Sequence, residues 1–404
     1  MNTFFSLNDF NLENKTVAVR VDLNLPYNIE TEELAENSRL WKHAETIKEL
    51  SDKKAKVVVF THQSRKGKPD FISLEKHAKL LEKTLGQSVK FLPHESNFDE
   101  IKELKMGDVL LLDNTRFYDD ETEKKTMGEH ADSSLVKKLS PYLDYFILDS
   151  FSVSHRGHAS VVGFANLKPC IAGPVFELEA KKLREFKEKI KNSKTAFILG
   201  GAKPEEPLEL IEYFLNGNAK FLTAGVVSLL FLMGENYNLG KTEEFLKNKG
   251  YLDCIQKIRE MKSEKIKNPV DLGIEKDGKR VEISLDELPA NEGILDIGEK
   301  TTENYEKIIS ESDIVCMKGT AGVYENSNAE FGTKKLFDIL KKHKCTLLGG
   351  GNTIDALEKF KIPFSDFTYV SLGGGAFVEF LIGKEMPGLK ALEMNFEKFK
   401  NGGY

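Results

Sequence analysis

Three arginines stand in short polar stretches whose residue types suit anion chemistry. These are Thr61-His62-Gln63-Ser64-Arg65, Asp113-Asn114-Thr115-Arg116, and the segment from Asp149 through Ser154 to His155-Arg156-Gly157-His158. Each follows a short apolar, β-branched run, and a fourth such run ends in Val21-Asp22-Leu23-Asn24-Leu25-Pro26. Arginine is scarce here, eight residues against 50 lysines, and five of the eight (Arg20, Arg39, Arg65, Arg116, Arg156) fall in the first 160 residues. A guanidinium donates two aligned hydrogen bonds to a phosphate or carboxylate, so converging arginines suit a small, multiply charged anion. Any one of them is as readily a surface ion pair; the set, given its scarcity, reads as an anion site. His155 and His158 do not read as metal ligands, since no HExxH or His-rich pattern accompanies them. Asp22 and Asn24 either cap the next turn or face the ligand.

The second half has the opposite bias. Its glycine runs sit at three strand-to-helix junctions: FILGGAKPEEPLELI from Phe197, TLLGGGNTIDAL from Thr346 and VSLGGGAFVEFL from Val370. Glycine there lets backbone N–H groups approach phosphate oxygens, and a following helix adds a favourable dipole. One such junction is weak evidence, but three in one half, one carrying Lys203, point to a polyphosphate nucleotide. None is a Walker A motif, and no GxGxxG with a downstream acidic residue marks a dinucleotide site. An anion site in one half and a phosphate cradle in the other imply phosphoryl transfer across a cleft, which needs positioning and charge neutralisation more than a covalent nucleophile.

The elements that must position these residues are legible as a βα repeat. Apolar runs at 16–21, 56–61, 109–112 and 145–148, then at 195–199, 221–224, 313–317, 345–348 and 368–371, read as buried parallel strands, with helices such as 40–50 and 74–85 between them. The fold class is α/β: two doubly wound parallel-sheet domains of similar size, joined by a long helix, with a cleft between them. Leu178, Leu183, Phe186 and Ile190 have the spacing of one amphipathic connecting helix over 177–194. The segment 262–297, with Asp277-Gly278 as a turn signal, reads as a small antiparallel insertion. A length of 404 residues allows two or three domains, and 40% hydrophobic with 30% charged residues excludes a disordered chain. The net charge of −6, with signs interspersed, argues against a nucleic-acid partner. Four scattered cysteines without a CxxC pair suggest neither zinc nor disulfides, and no signal peptide or membrane span is read. A cytoplasmic protein is expected.

Together the motifs VRVDLNLP, SRL at Arg39, HQSR, LLDNTRF, SHRGHAS, LGGAK, LDIGEKT, KGTAGVYE, LGGGNT and SLGGGA resemble, nearly end to end, the phosphoglycerate kinase family, and its archaeal branch in particular. The resemblance implies reversible transfer of a phosphoryl group from 1,3-bisphosphoglycerate to ADP, giving 3-phosphoglycerate and ATP, with Mg²⁺ as cofactor. It implies that Asp22, Asn24, Arg39, His62, Arg65, Arg116 and Arg156 hold 3-phosphoglycerate, with Arg39 reaching the transferred group. Lys203 and the amides of Gly373, Gly374 and Gly375 would stabilise that group. Nucleotide binding would fall to Gly200, Gly201, Lys203, Lys318, Gly319, Gly349, Gly350, Gly351, Asn352 and Thr353, with Glu325 at the ribose. It further implies a phosphoglycerate-binding domain at 1–172, an interdomain helix at 173–194, a nucleotide-binding domain at 195–385 and a tail at 386–404 returning to the first domain. Closure by a hinge is implied, in a monomer or homodimer.

Departures from the family pattern cluster in the nucleotide half. Lys318-Gly319-Thr320 stands where Asn-Gly-Pro is usual, Asn352 where an Asp that contributes to Mg²⁺ binding is common, and Pro207 where many members carry a second Lys. Ala224-Gly225 replaces Gly-Gly, and Leu372 replaces a Thr. Two readings follow: an active, divergent kinase in which Lys318 supplies the missing cationic charge, or a phosphoglycerate-binding protein with weakened or lost nucleotide chemistry. The intact arginines and Lys203 favour the first. A dehydrogenase also fits the bare fold but lacks a dinucleotide fingerprint.

Overall fold

The computed structural model describes residues 3–402. The chain divides into two compact units, Met1–Lys181 with Lys384–Tyr404, and Lys182–Gly383, and the division falls inside the helix Pro174–Asn192.

The first unit is built on seven parallel strands: β1 (Phe5–Ser6), β2 (Thr16–Arg20), β3 (Lys56–Phe60), β4 (Val89–Leu92), β5 (Val109–Leu112), β6 (Tyr145–Leu148) and β7 (Cys170–Ala172), in the order β1-β7-β6-β2-β3-β5-β4. Successive strand side chains point to opposite faces. Val17, Val19, Val57, Val59, Val109 and Leu111 therefore share a core with Ala44, Ile47 and Leu50 of the helix Ser38–Asp52 and Ala78, Leu81 and Leu85 of the helix Glu75–Leu85. On the other face Phe164 stacks on Phe146, ring centroids 4.8 Å apart, and lies 6.0 Å from Phe60. The strand order reverses between β2 and β6, and ligands of open α/β sheets bind beyond the carboxyl ends at such a point. The helix Pro387–Phe399 belongs to this unit: Asn395 accepts from the Cys170 amide (2.7 Å) and donates to the Ala165 carbonyl (2.6 Å).

The second unit carries six parallel strands: β8 (Thr195–Leu199), β9 (Ala219–Thr223), β10 (Ile266–Lys267), β14 (Ile314–Lys318), β15 (Thr346–Gly349) and β16 (Tyr369–Ser371), ordered β10-β9-β8-β14-β15-β16. Here the order reverses between β8 and β14. The intervening β11 (Asp271–Lys276), β12 (Lys279–Ser284) and β13 (Ile294–Ile297) form a separate antiparallel sheet. Its hairpin turns through Asp277 and Gly278, both at positive φ (51° and 71°), the pairing a two-residue turn requires. The apolar stretch after β9 is the helix Gly225–Gly234, whose Val227, Leu230 and Leu232 are fully buried. Among the described residues no helix is long and apolar enough to cross a membrane, and all four cysteines are free thiols.

Candidate functional site

At the reversal point of the first unit, the loops that leave the strands hold one another. Thr61 Oγ1 accepts from the Leu23 amide (2.9 Å), Gln63 Oε1 from the Leu25 amide (3.0 Å), and Asn24 Oδ1 from the Ser64 amide (2.8 Å). Asn114 donates to the carbonyls of Gln63 (2.9 Å) and Ile72 (3.0 Å). Arg39 reaches the same place from the first turn of its helix, which starts at an N-cap Asn37 accepting from the Leu40 amide. Its Nη1 lies 3.2 Å from Asp22 Oδ2. Burial pushes the Asp22 carboxyl up, but the nearby Arg39, with the hydrogen bond from Ser152, outweighs it and holds the group well below the usual carboxylate range.

Arg20, at the end of β2, is only 1% exposed. Its Nε donates to Ser160 Oγ (3.1 Å), one Nη donates to the Val21 carbonyl, and the other lies 3.1 Å from His62 Nδ1. A guanidinium only donates, so Nδ1 of His62 accepts and the ring proton sits on Nε2. Burial, then the Arg20 charge, push His62 well below its ordinary value and keep it neutral. Ser160 passes the contact down to Glu121 through its N (2.9 Å) and Oγ (2.5 Å). Burial lifts Glu121 to about 7 against the pull of Ser160 and Arg20.

Arg116 donates to the Ser64 carbonyl, while its buried Nε has no hydrogen-bond partner among the described residues. Arg156 donates to His155 Nε2 at 3.0 Å. Burial, then Arg156 and Arg20, push Arg116 down to about 10; burial, then Arg156, Arg116 and Arg20, push His158 down to about 3. Arg20 and Arg116, both pushed down by burial and in part by the neighbouring Arg156 charge, form with it a positive pocket, and an anion with several charges relieves it. The predicted residues Asp22, Asn24, Arg39, His62, Arg116 and Arg156 are brought together. Arg65 is exposed on the loop after His62. Sequence reasoning placed neither Arg20 nor Glu121 in the site; the arginine at the end of a β-branched run was the available signal.

In the second unit the ends of β8 and β14 meet through backbone. The amides of Gly200 and Gly201 donate to the carbonyls of Lys318 (2.9 Å) and Thr320 (2.8 Å). A Cβ on Gly319 would lie inside the Gly200 carbonyl, so only glycine permits this approach. Thr353, fully buried, spends its hydroxyl on the Gly319 amide (2.9 Å). Lys318 is 8% exposed, and its Nζ pairs with Glu206 Oε2 at 2.7 Å. Gly373 donates to Ser371 Oγ (3.1 Å), and Gly374 takes φ 55° before the helix that starts at Gly375. Lys203 and Gly351 are exposed; Gly349 and Gly350 are buried at the end of β15.

Beside these junctions lies a cavity of about 550 Å³. Gly201, Thr320 and Asn352 line one part, Val226, Leu229 and Phe245 another, and Glu325 a further part. Its walls are largely apolar, the lining a planar base requires, with glycine amides at its edge. The sequence does not single out these apolar residues, since Val226 to Met233 stands there only as the most apolar stretch, too short to span a bilayer.

Side-chain charge in one unit, and glycine-rich strand-to-helix junctions with a buried ammonium in the other, are the two kinds of feature that phosphoryl transfer needs. They put the chain in the class of two-unit α/β phosphotransferases. The particular family follows from comparison. A model of phosphoglycerate kinase matches residues 7–384. The phosphoglycerate kinase of Methanobacterium bryantii is 38% identical over 96% of this chain and 97% of its own, and that of Pyrococcus horikoshii is 38% identical over 98% and 99%. The crystal structure of the Pyrococcus horikoshii enzyme superposes with a TM-score of 0.91 at 37% identity, covering 98% of this chain and 100% of that one. The enzyme from Coxiella burnetii gives 0.75 at 29%, covering 96% and 98%. The chain belongs to the phosphoglycerate kinase family, whose members are phosphotransferases with a carboxyl group as acceptor.

Proposed function

We infer that this protein catalyses reversible phosphoryl transfer between 1,3-bisphosphoglycerate and ADP, and that the positive pocket of the first unit is its phosphoglycerate site. The observation that carries this reading is the gathering of Arg20, Arg39 and Arg116 at the loops leaving the strands, Arg20 on His62, Arg39 on Asp22, and Arg116 with a buried Nε that has no hydrogen-bond partner among the described residues. Such a pocket is costly without an anion and well matched to a carboxylate and a phosphate on one small molecule. In the forward direction an ADP β-phosphate oxygen attacks the phosphorus of the acyl phosphate in line. The new O–P bond forms as the bond from phosphorus to the carboxyl oxygen breaks, and that electron pair leaves as the carboxylate of 3-phosphoglycerate. Arg39 holds the transferred group from the phosphoglycerate side, and Lys203 with the amides of Gly374 and Gly375 from the nucleotide side, the Gly373 amide being held by Ser371 Oγ.

The nucleotide enters as its Mg²⁺ complex. Among the described residues no three His, Cys, Asp or Glu form a group that could hold a metal ion, and Asn352 offers a single neutral carbonyl oxygen. That fits a cation carried by substrate phosphates, which keeps most of its other ligands as water and phosphate oxygen. A coupled assay with 3-phosphoglycerate and MgATP tests the reading: turnover well above an Arg39→Ala control is expected, and none above that control would sink it. Calorimetry showing 3-phosphoglycerate binding without nucleotide binding would instead support the non-catalytic reading.

A further inference from the structure

The Lys318–Glu206 pair sits among the glycine junctions, and its two members are held very differently. Lys318 ends a buried strand with only 10% of its side chain exposed, and its stem runs beside Gly350, where a Cβ would come to 3.4 Å from Lys318 Cγ. Its ammonium is therefore fixed by strand and packing. Glu206 stands in the first turn of the helix Glu205–Phe214 with 36% of its side chain exposed. Its other carboxylate oxygen lies 3.1 Å from the point a Cβ on Gly375 would occupy, against the glycine run assigned to the transferred group. A carboxylate thus stands between an immobile ammonium and a glycine junction proposed for phosphate.

We propose that Glu206 is a displaceable internal anion: before nucleotide binds it neutralises Lys318, and an incoming phosphate takes its place while Lys318 stays. The physical grounds are an asymmetry of cost. A mostly buried ammonium without a partner is expensive, so the position demands an anion at all times. A carboxylate that is one-third exposed loses little by swinging into water, whereas the packed lysine cannot follow it. The exchange replaces one anion by another with more acceptor oxygens, and Glu206 sets the affinity by competing. The sequence fits this: the cation comes from the end of β14, and the carboxylate that holds it stands in the first turn of the helix, one residue before Pro207.

This inference rests on the nucleotide reading of the second unit. The test is calorimetric titration of the full chain with MgADP, comparing wild type with Glu206→Gln and Glu206→Asp, with 3-phosphoglycerate binding by the same samples as the control for correct folding. Glu206→Gln is expected to tighten MgADP about five- to tenfold. Glu206→Asp keeps the charge but draws it back from Lys318, and is expected to tighten binding as well, by less. In turnover, KM for MgATP falls while kcat is unchanged, the mark of a change in uniform binding. If wild type binds MgADP and Glu206→Gln binds it no tighter, the displacement idea is overturned and the kinase reading stands. If Gln tightens but Asp matches wild type, Glu206 acts through bulk charge alone and the idea is again overturned. If none of the three proteins binds MgADP, both readings fall together.

Discussion

In the first unit the charges for an anion are carried on side chains whose surroundings are fixed in advance: Arg20 is locked by Ser160, Val21 and His62, Arg39 by Asp22, and the loops between them by Thr61, Gln63 and Asn114. In the second unit the corresponding junctions are backbone, joined strand end to strand end through Gly200, Gly201 and Gly319, and one ion pair supplies the buried cation. Under the proposed function the difference follows from what each would recognise. A small acid with charge at both ends needs several convergent donors of defined geometry. A nucleotide brings a large apolar base, for which a cavity suffices, and phosphates that amides can meet closely. Side-chain networks tolerate little change, while a backbone cradle tolerates substitution of its side chains.

The comparison breaks most sharply at Arg39. Arg39→Ala removes a guanidinium from the pocket and leaves the buried Asp22 carboxylate without its ion-pair partner. A fall of about 10³-fold in kcat/KM is expected in the coupled assay. Arg39→Lys keeps the charge without the fork and should recover only a minor part of it. A loss below about tenfold would show that preorganised side chains do not dominate. Next in size is Lys318→Asn, which removes the buried cation of the second unit and should lower turnover about 30-fold with 3-phosphoglycerate affinity unchanged. Unchanged kinetics would rule out compensation by Lys318.

What was legible in the sequence follows the same divide. Nine strands of the two parallel sheets are apolar runs that end within a residue or two of their structural limits, because strands buried on both faces must be apolar throughout. The other four strands show no such run: Phe5–Ser6, Val89–Leu92 and Ile266–Lys267 are edges that need little burial, and the interior Cys170–Ala172 is only three residues long. Arginines at strand ends announced the anion pocket, yet Arg20 was passed over because it lies inside its strand rather than after it. The glycine runs marked the junctions, but Glu206 could not be found: its role depends on a contact with Lys318, 112 positions away, that no local pattern encodes.

The units also differ in how acid affects them. Seven of the eight histidines lie in the first unit and only His343 in the second. Burial, followed for His62 and His158 by the arginines, pushes both below the ordinary value, and burial alone takes His77 down to about 4. The unfolded chain therefore binds more protons at these sites below pH 6.5, and stability is lost as pH falls. Glu121, raised to about 7, works the other way, as its stabilising protonated form fills on acidification. At pH 5 His77 and His158 cost about 2 kcal/mol each and Glu121 returns about 2, a net loss to the first unit of about 2 kcal/mol before His62 and His130, also lowered by burial, are counted. In the second unit burial lifts Asp296 to about 7, so acid favours that fold. The single tryptophan, Trp41, reports on the first unit alone. Between pH 7 and pH 5 its thermal transition should fall by several degrees while the remaining far-UV circular dichroism change does not. Transitions that move together would break the comparison.

The smallest expected effect tests whether the apolar cavity contributes binding rather than rate. Phe245 lines it from a partly exposed position, so Phe245→Ala removes contact area without opening the core. A planar base loses one apolar neighbour, worth about 1 kcal/mol, in the substrate complex and the transition state alike. KM for MgATP should rise about fivefold with kcat unchanged, and 3-phosphoglycerate should bind as before. A fall in kcat at unchanged KM would mean that the cavity shapes the transition state, and the division of labour between a charged pocket and a permissive cradle would have to be redrawn. If neither constant moves, the base sits elsewhere, and the fit of nucleotide to this cavity is wrong even with the phosphate junctions intact.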